Sequence, residues 1–152
     1  MPTHAEKRVL PHTPEQMFDL VADIEKYPEF LPWCVATRIR ERQGEKGKET
    51  LISDMVIGFK IFREKFTSKV VCDRPRRVDV SYYDGPFKYL NNHWLFAPHG
   101  EGKCEIDFFV DFEFKSKLLQ KAIGVVFGEA VKLMISAFEK RANALYGGDE
   151  KG

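Results

Sequence analysis

Few side chains in this sequence have the type and setting for chemistry. Glu64, Tyr82 and His93 are the candidates for an acid or base, and general acid–base catalysis needs one of them to face a pocket. His93 falls on the opposite parity to Trp94, so it is expected to point outward. Cys34, Cys72 and Cys104 are an odd number at wide spacing, which suits neither a disulfide framework nor a metal knuckle. His4, His12, His93 and His99 show no ligand spacing, and no nucleophile elbow or phosphate loop occurs. The expectation is a protein without catalytic residues, metal or required cofactor. Polar groups on otherwise apolar stripes are Glu64, Ser68, Asn92 and, near the end of the chain, Arg141. A buried carboxylate needs a partner or a raised pKa, so Glu64 is expected either to pair with Arg141 or a strand arginine, or to meet a ligand. Asn92 is open to two readings, a cap on a neighbouring strand or a hydrogen bond to a ligand.

The elements that must position these groups follow from hydrophobic periodicity. Between about Ser116 and Leu145, Leu119, Ala122, Ile123, Val126, Ala130, Leu133, Ala137 and Ala144 recur at helical steps. Ser116 is the expected N-cap, and Gly147-Gly148 the stop. The helix is roughly 45 Å long at 1.5 Å per residue. Its apolar face is small at the centre (Ala122, Ala130, Ala137) and flanked by Phe127, Met134 and Phe138, so a sheet or a bound molecule can approach closely. Lys121, Glu129 and Lys132 exclude a membrane span. Gly124, Gly128, Val131 and Ile135 lie on the opposite face, and glycine there costs about 1 kcal/mol relative to alanine. That face is expected to meet a membrane, a partner or the Tyr27–Cys34 segment.

Upstream, His4–Leu10 alternates as a first strand. Thr13-Pro14-Glu15-Gln16 starts a helix with a capping box, and Met17, Phe18, Leu20, Val21 and Ile24 give its apolar face. It cannot run past Tyr27-Pro28. The segment Tyr27–Cys34 holds two prolines and four large apolar side chains, and reads equally as a plug closing a core or as the rim of a ligand mouth. Strands then follow with tight turns at Gly44–Lys48, Asp73–Pro75, Asp84–Pro86 and Pro98–Gly100. Cys104, Ile106, Phe108, Val110, Phe112 and Phe114 face one way on the last strand, Glu105, Asp107, Asp111 and Glu113 the other. An antiparallel meander of this kind solvates one face and must cover the other, and only the terminal helix is long enough to do so.

The 152 residues carry 31% charged side chains that nearly cancel to a formal +1, while Phe alone accounts for 13 residues. One domain is expected, spanning 1–152 with its core at about 4–146. Near-zero charge gives no general case for nucleic acid, and none for DNA. Local patches remain, with Arg38, Arg40 and Arg42 on one strand face and Arg63, Lys65 and Lys69 on another. Were they neighbours, they would suit RNA phosphates or anionic lipid. Phe fills space without asking for hydrogen bonds, which fits an ample core or an apolar cavity. The N-terminus MPTHAEKRVL has neither an apolar h-region nor an Arg/Ser-rich leader, so a bacterial cytoplasm is expected.

The element order resembles the α+β helix-grip fold of the START and birch-pollen-allergen superfamily, a curved antiparallel sheet of six to seven strands around a long C-terminal helix. YPEFLPWC at 27–34 and DGPFKYLNNHW at 84–94 resemble the coenzyme Q-binding branch of this START-like/polyketide cyclase superfamily. A bacterial branch described as a ribosome-association toxin is also similar. The resemblance implies a non-catalytic protein that binds ubiquinone or a related polyprenyl lipid and supports respiration, in contact with the inner membrane at its periphery. The second branch implies instead an inhibitor of translation acting on ribosomal subunits. For the lipid, the expected walls are Phe62, Phe66, Trp94, Phe96, Phe108, Val110 and Phe112 on the sheet. Phe127, Ala130, Met134 and Phe138 are expected from the helix, and Phe30, Leu31 and Trp33 from the Tyr27–Cys34 segment. Glu64, Asn92 and Arg141 are the expected polar contacts.

Overall fold

The computed structural model describes residues 3–45, 47–59 and 62–147; the side chains of Phe59 and Phe62, and Gly148, lie outside the described residues. In chain order the elements are β1 (Thr3–Leu10), α1 (Pro14–Ala22), a 3-10 helix (Ile24–Glu29), β2 (Cys34–Glu45), β3 (Lys48–Phe59), β4 (Phe62–Asp73), β5 (Arg77–Asp84), β6 (Phe87–Pro98), β7 (Cys104–Phe114) and α2 (Lys117–Tyr146). All strands join one antiparallel sheet in the order β1-β7-β6-β5-β4-β3-β2. This is the expected helix-grip arrangement, with α2 on the concave face.

Local chemistry fixes the joints. Thr13 Oγ1 accepts from the Gln16 backbone N–H at 3.1 Å while Gln16 Oε1 accepts from the Thr13 N–H at 2.9 Å, the two halves of the capping box. Both bonds satisfy donors that the first helical turn cannot use internally. α1 stops at Ala22, and the chain continues as a 3-10 helix that carries Pro28 inside it. The looser i→i+3 pattern accepts proline where an α-helix would not. Gly85, at φ +141°, closes the β5–β6 turn; a Cβ there would sit 2.8 Å from the Cβ of Phe66. Arg74 holds Asp19 through two bonds of 2.8 and 3.0 Å, tying the β4–β5 turn to α1.

Register separates the two faces of the sheet. Trp94 lies opposite Phe108, Asn92 opposite Val110, and Met55 opposite Phe66, so these pairs share the concave side. A bulge between Ile39 and Glu41 shifts the parity of β2 and puts Arg42 opposite Leu51, where it bonds Glu49 at 3.1 Å. Arg42 therefore leaves the face of Arg38 and Arg40, contrary to the sequence expectation, because one extra residue inverts everything beyond it. The basic residues of β2 and β4 are not adjacent either: β3 runs between them.

α2 also sits differently from its expected stripe. Val131 and Ile135 are buried while Leu133 is half-exposed. Besides β7, the helix packs against α1 and the edge strand β1, so its buried arc reaches round to Val131, Ile135 and Ala142. The face expected to meet a membrane, a partner or the Tyr27–Cys34 segment is thus partly core; Gly124 and Gly128 on it are open, since a Cβ at either position would meet nothing within 4 Å.

Candidate functional site

Small side chains along the middle of α2 keep it from closing on the sheet, and a cavity of about 300 Å³ remains between them. Its floor is the concave face. β3 and β4 contribute Ser53, Met55, Glu64, Phe66 and Ser68, β6 contributes Leu90, Asn92 and Trp94, and β7 contributes Phe108, Val110 and Phe112. Its roof is α2 through Ile123, Val126, Phe127, Ala130, Met134 and Phe138. One end is closed by Ile24, Tyr27, Leu31, Trp33 and Cys34. The proline-rich segment is therefore both end wall and lining: Ile24 and Tyr27, one turn apart on the 3-10 helix, face the cavity, and Leu31, Trp33 and Cys34 follow from the chain beyond it. Trp94, Phe108 and Phe138 also line a second void of about 20 Å³ under Leu10, Met17 and Ile135, and so form the partition between the two.

Three of the expected contacts lie elsewhere. Phe30 is an outer layer of the plug, edge-on to Phe138 at 5.2 Å and to Tyr27 at 6.0 Å. Phe96 shares the parity of Trp94 but lies at the end of β6 under α1, edge-on to Phe18 at 6.0 Å. Parity places a side chain on a face, and the element above then decides whether it meets a void or a neighbour. Arg141 donates from Nη2 to Glu29 Oε1 at 2.7 Å, and its guanidinium stands 5.1 Å from the centre of the Phe30 ring. It latches α2 to the 3-10 helix and does not pair with Glu64. The Arg141 bond holds the Glu29 carboxyl below the usual carboxylate range.

The polar groups on the wall are few. Glu64 enters no hydrogen bond or ion pair among the described residues. Asn92 Nδ2 donates to the Phe109 carbonyl at 2.8 Å, which anchors the amide and leaves Oδ1 as a spare acceptor. Ser53 and Ser68 are buried across from one another with hydroxyls 3.4 Å apart. Ser53 is a wall residue that sequence reasoning misses, although its alternation with Leu51 and Met55 carries the signal. Tyr27 lies buried with its hydroxyl donating to the Val21 carbonyl, and burial pushes its pKa up. Burial also lifts the Cys34 thiol to about 11, so both stay neutral and the closed end stays apolar. His93 stacks on Phe109 at 5.3 Å on the convex face. Among the described residues no cluster of His, Cys, Asp and Glu is able to hold a metal. Such a site can enclose an apolar molecule and offer it two hydroxyls, an amide and a carboxylate spaced along the wall.

Known proteins agree with this geometry. The family model for polyketide cyclase/dehydrase and lipid transport proteins matches residues 10–139. The chain is 42% identical over 139 residues to the ribosome association toxin RatA of Rickettsia prowazekii, covering 89% of this chain and 92% of that one. It is 35% identical over 151 residues to the mitochondrial coenzyme Q-binding protein COQ10 homolog B of Xenopus laevis, covering 97% of this chain and 60% of that one. The solution structure of an 18 kDa protein from Caulobacter crescentus superimposes with a TM-score of 0.80 at 38% identity, covering 97% of this chain and all of the other. By sequence as by its START-type helix-grip fold, the chain belongs to the polyketide cyclase/dehydrase and lipid transport family.

Proposed function

We propose that the protein binds ubiquinone or a related polyprenyl lipid in the cavity between sheet and α2, without catalysis, in support of respiratory quinone function. The observation that carries this reading is the cavity itself: about 300 Å³ walled by aromatic and aliphatic side chains, with Ser53, Ser68, Asn92 and Glu64 as its polar groups. Buried hydroxyls that, among the described residues, have only each other as partners are suited to donating to a carbonyl oxygen. A cavity of about 150 Å³ holds benzene. The space here suits a ring-sized head with a short run of prenyl units, and the rest of a long tail has to leave it. No helix among the described residues is long and apolar enough to cross a membrane, and this reading has a protein of the bacterial cytoplasm meeting its cargo at the periphery of the inner membrane. Glu64, the one carboxylate among the described lining residues, serves in this reading as a hydrogen-bonding contact to the ligand and not as an acid or base.

The test is native purification from a quinone-producing host, extraction with organic solvent and mass spectrometry of the extract. Stoichiometric quinone in the wild type, and less in Trp33→Ala and Phe66→Ala, is the expected result. An empty extract from folded protein counts against it.

A second reading, action on ribosomal subunits, is favoured by the similarity to the RatA toxin and by a group of unpaired cations on the convex face. Cosedimentation of the purified chain with separated subunits tests it; a chain that stays in the supernatant at low salt removes it.

A further inference from the structure

The formal charge of +1 hides a segregation that the sheet creates. On the convex face β7 presents Glu105, Asp107, Asp111 and Glu113, while β2 and β4 present Arg38, Arg40, Arg63, Lys65 and Lys69, all five exposed. Arg38 lies opposite Asp54, and Asp54 opposite Thr67, with Lys65 and Lys69 two residues either side of Thr67. Asp54 is the acid at the centre of this group and is internally engaged. It accepts from Thr67 Oγ1 at 2.6 Å and lies 3.6 Å from Arg40 Nε, with its side chain only 9% exposed. Two exposed acids stand among the cations: Asp84 lies opposite Thr67, and Glu41 lies on the row of Lys69, across Ile52. Among the described residues Arg38, Arg63, Lys65 and Lys69 enter no salt bridge.

An aromatic side chain stands beside these cations. A bulge leaves Tyr83 as the extra residue of β5, between Tyr82 opposite Ser68 and Asp84 opposite Thr67, and it is 62% exposed. A solvated sheet face has no packing use for a phenol ring. Arg63 to Lys69 spans about 20 Å along β4, and β2 lies about 10 Å to one side across β3. Cations at this spacing near an exposed ring match a polyanion whose bases stack on aromatics. A bilayer would instead favour exposed aliphatic side chains among the cations. Val35, at 43%, is exposed next to Gly58 and Arg63, but the aliphatic side chains with the greatest exposure, Leu118 at 72% and Val125 at 82%, are on α2 and hence on the other side of the sheet.

We infer that the convex face of β2–β5 is a binding surface for single-stranded RNA, with Arg38, Arg63, Lys65 and Lys69 meeting phosphates and Tyr83 stacking on an unpaired base. This deepens the second reading above, on which its cellular target rests. The probes are a fluorescein-labelled single-stranded RNA of mixed sequence, vesicles containing phosphatidylglycerol, and ribosomal subunits, each offered to the full chain. Four phosphate contacts give a slope of about −3 for log K against log salt on a single strand, and each cation removed flattens it by about 0.7. The Arg38→Ala/Lys65→Ala/Lys69→Ala triple variant is expected to lose most of the slope. Tyr83→Ala is expected to weaken binding about tenfold with the slope unchanged. All four side chains are exposed, and circular dichroism checks that the variants remain folded. The surface assignment is overturned by absence of RNA binding at low salt, by a triple variant that binds as wild type, or by loss confined to vesicles. Subunit cosedimentation that survives in the triple variant keeps the ribosomal reading and removes this surface. RNA binding lost in the triple variant, with no cosedimentation in the wild type, keeps the surface and removes the ribosomal target.

Discussion

Ala130 faces the cavity from the middle of α2, and Ala130→Phe asks whether a ligand occupies that space. The substitution adds a benzene-sized ring, and such a ring fills a cavity of about 150 Å³. About half of the roughly 300 Å³ is therefore taken. A ligand that can no longer bury one ring-sized group loses about 1.5–3 kcal/mol, or about tenfold to a hundredfold in Kd. Stability moves the other way or not at all. Phe costs about 0.5 kcal/mol in helix propensity relative to Ala, but its ring buries apolar surface in space that is empty. Overpacking a filled core, by contrast, costs about 1–3 kcal/mol. Lipid content is read by solvent extraction and mass spectrometry of native protein, and stability by urea unfolding of the same preparations. A folded Ala130→Phe variant with undiminished lipid load would falsify the assignment of the ligand to this cavity. A large drop in the urea midpoint would show instead that the space is not open to a ring.

Phe138→Ala should cost about 3–5 kcal/mol, because the ring meets Trp94, Phe30 and Tyr27 at 5.0–5.4 Å; it should also join the two voids, measurable as increased uptake of an apolar fluorescent probe. Thr13→Ala removes one half of the capping box and should lower unfolding free energy by about 1 kcal/mol in urea titrations, with lipid load unchanged. Burial raises the thiols of Cys34, Cys72 and Cys104 from 9.0 to about 11, so between pH 9 and 11 the unfolded chain has released these protons and the folded one retains them. Stability should therefore fall as pH rises through that window, by up to about 3 kcal/mol per thiol. Denaturant midpoints at pH 8, 9 and 10.5 check this, and a Cys→Ser triple variant with the same decline would remove the thiols as its cause.

Much of the architecture is encoded locally. Thr13-Pro14-Glu15-Gln16 starts a helix because its own side chains satisfy its own backbone, and Cys104–Phe114 is a strand because its apolar residues alternate along it. Gly85 and its neighbours set the turn that keeps β5 and β6 adjacent. Period-2 patterning also chose most of the cavity floor, since a residue's face follows from its neighbours within the strand. What lies above that face does not follow. Phe96 and Trp94 have the same parity, yet α1 covers one and the void lies over the other. Arg141 found Glu29 across 112 residues, a partnership fixed by how α2 crosses the 3-10 helix. A single bulge removed Arg42 from the convex face, while strand order placed β3 between the cations of β2 and β4. The sheet likewise gathered Arg38, Arg40, Arg63, Lys65 and Lys69 onto the convex face of β2 and β4, and Glu105, Asp107, Asp111 and Glu113 onto that of β7. Periodicity is a property of the chain, and these contacts are properties of the packing. Only the packing decides where space is left empty and which charges are left unpaired.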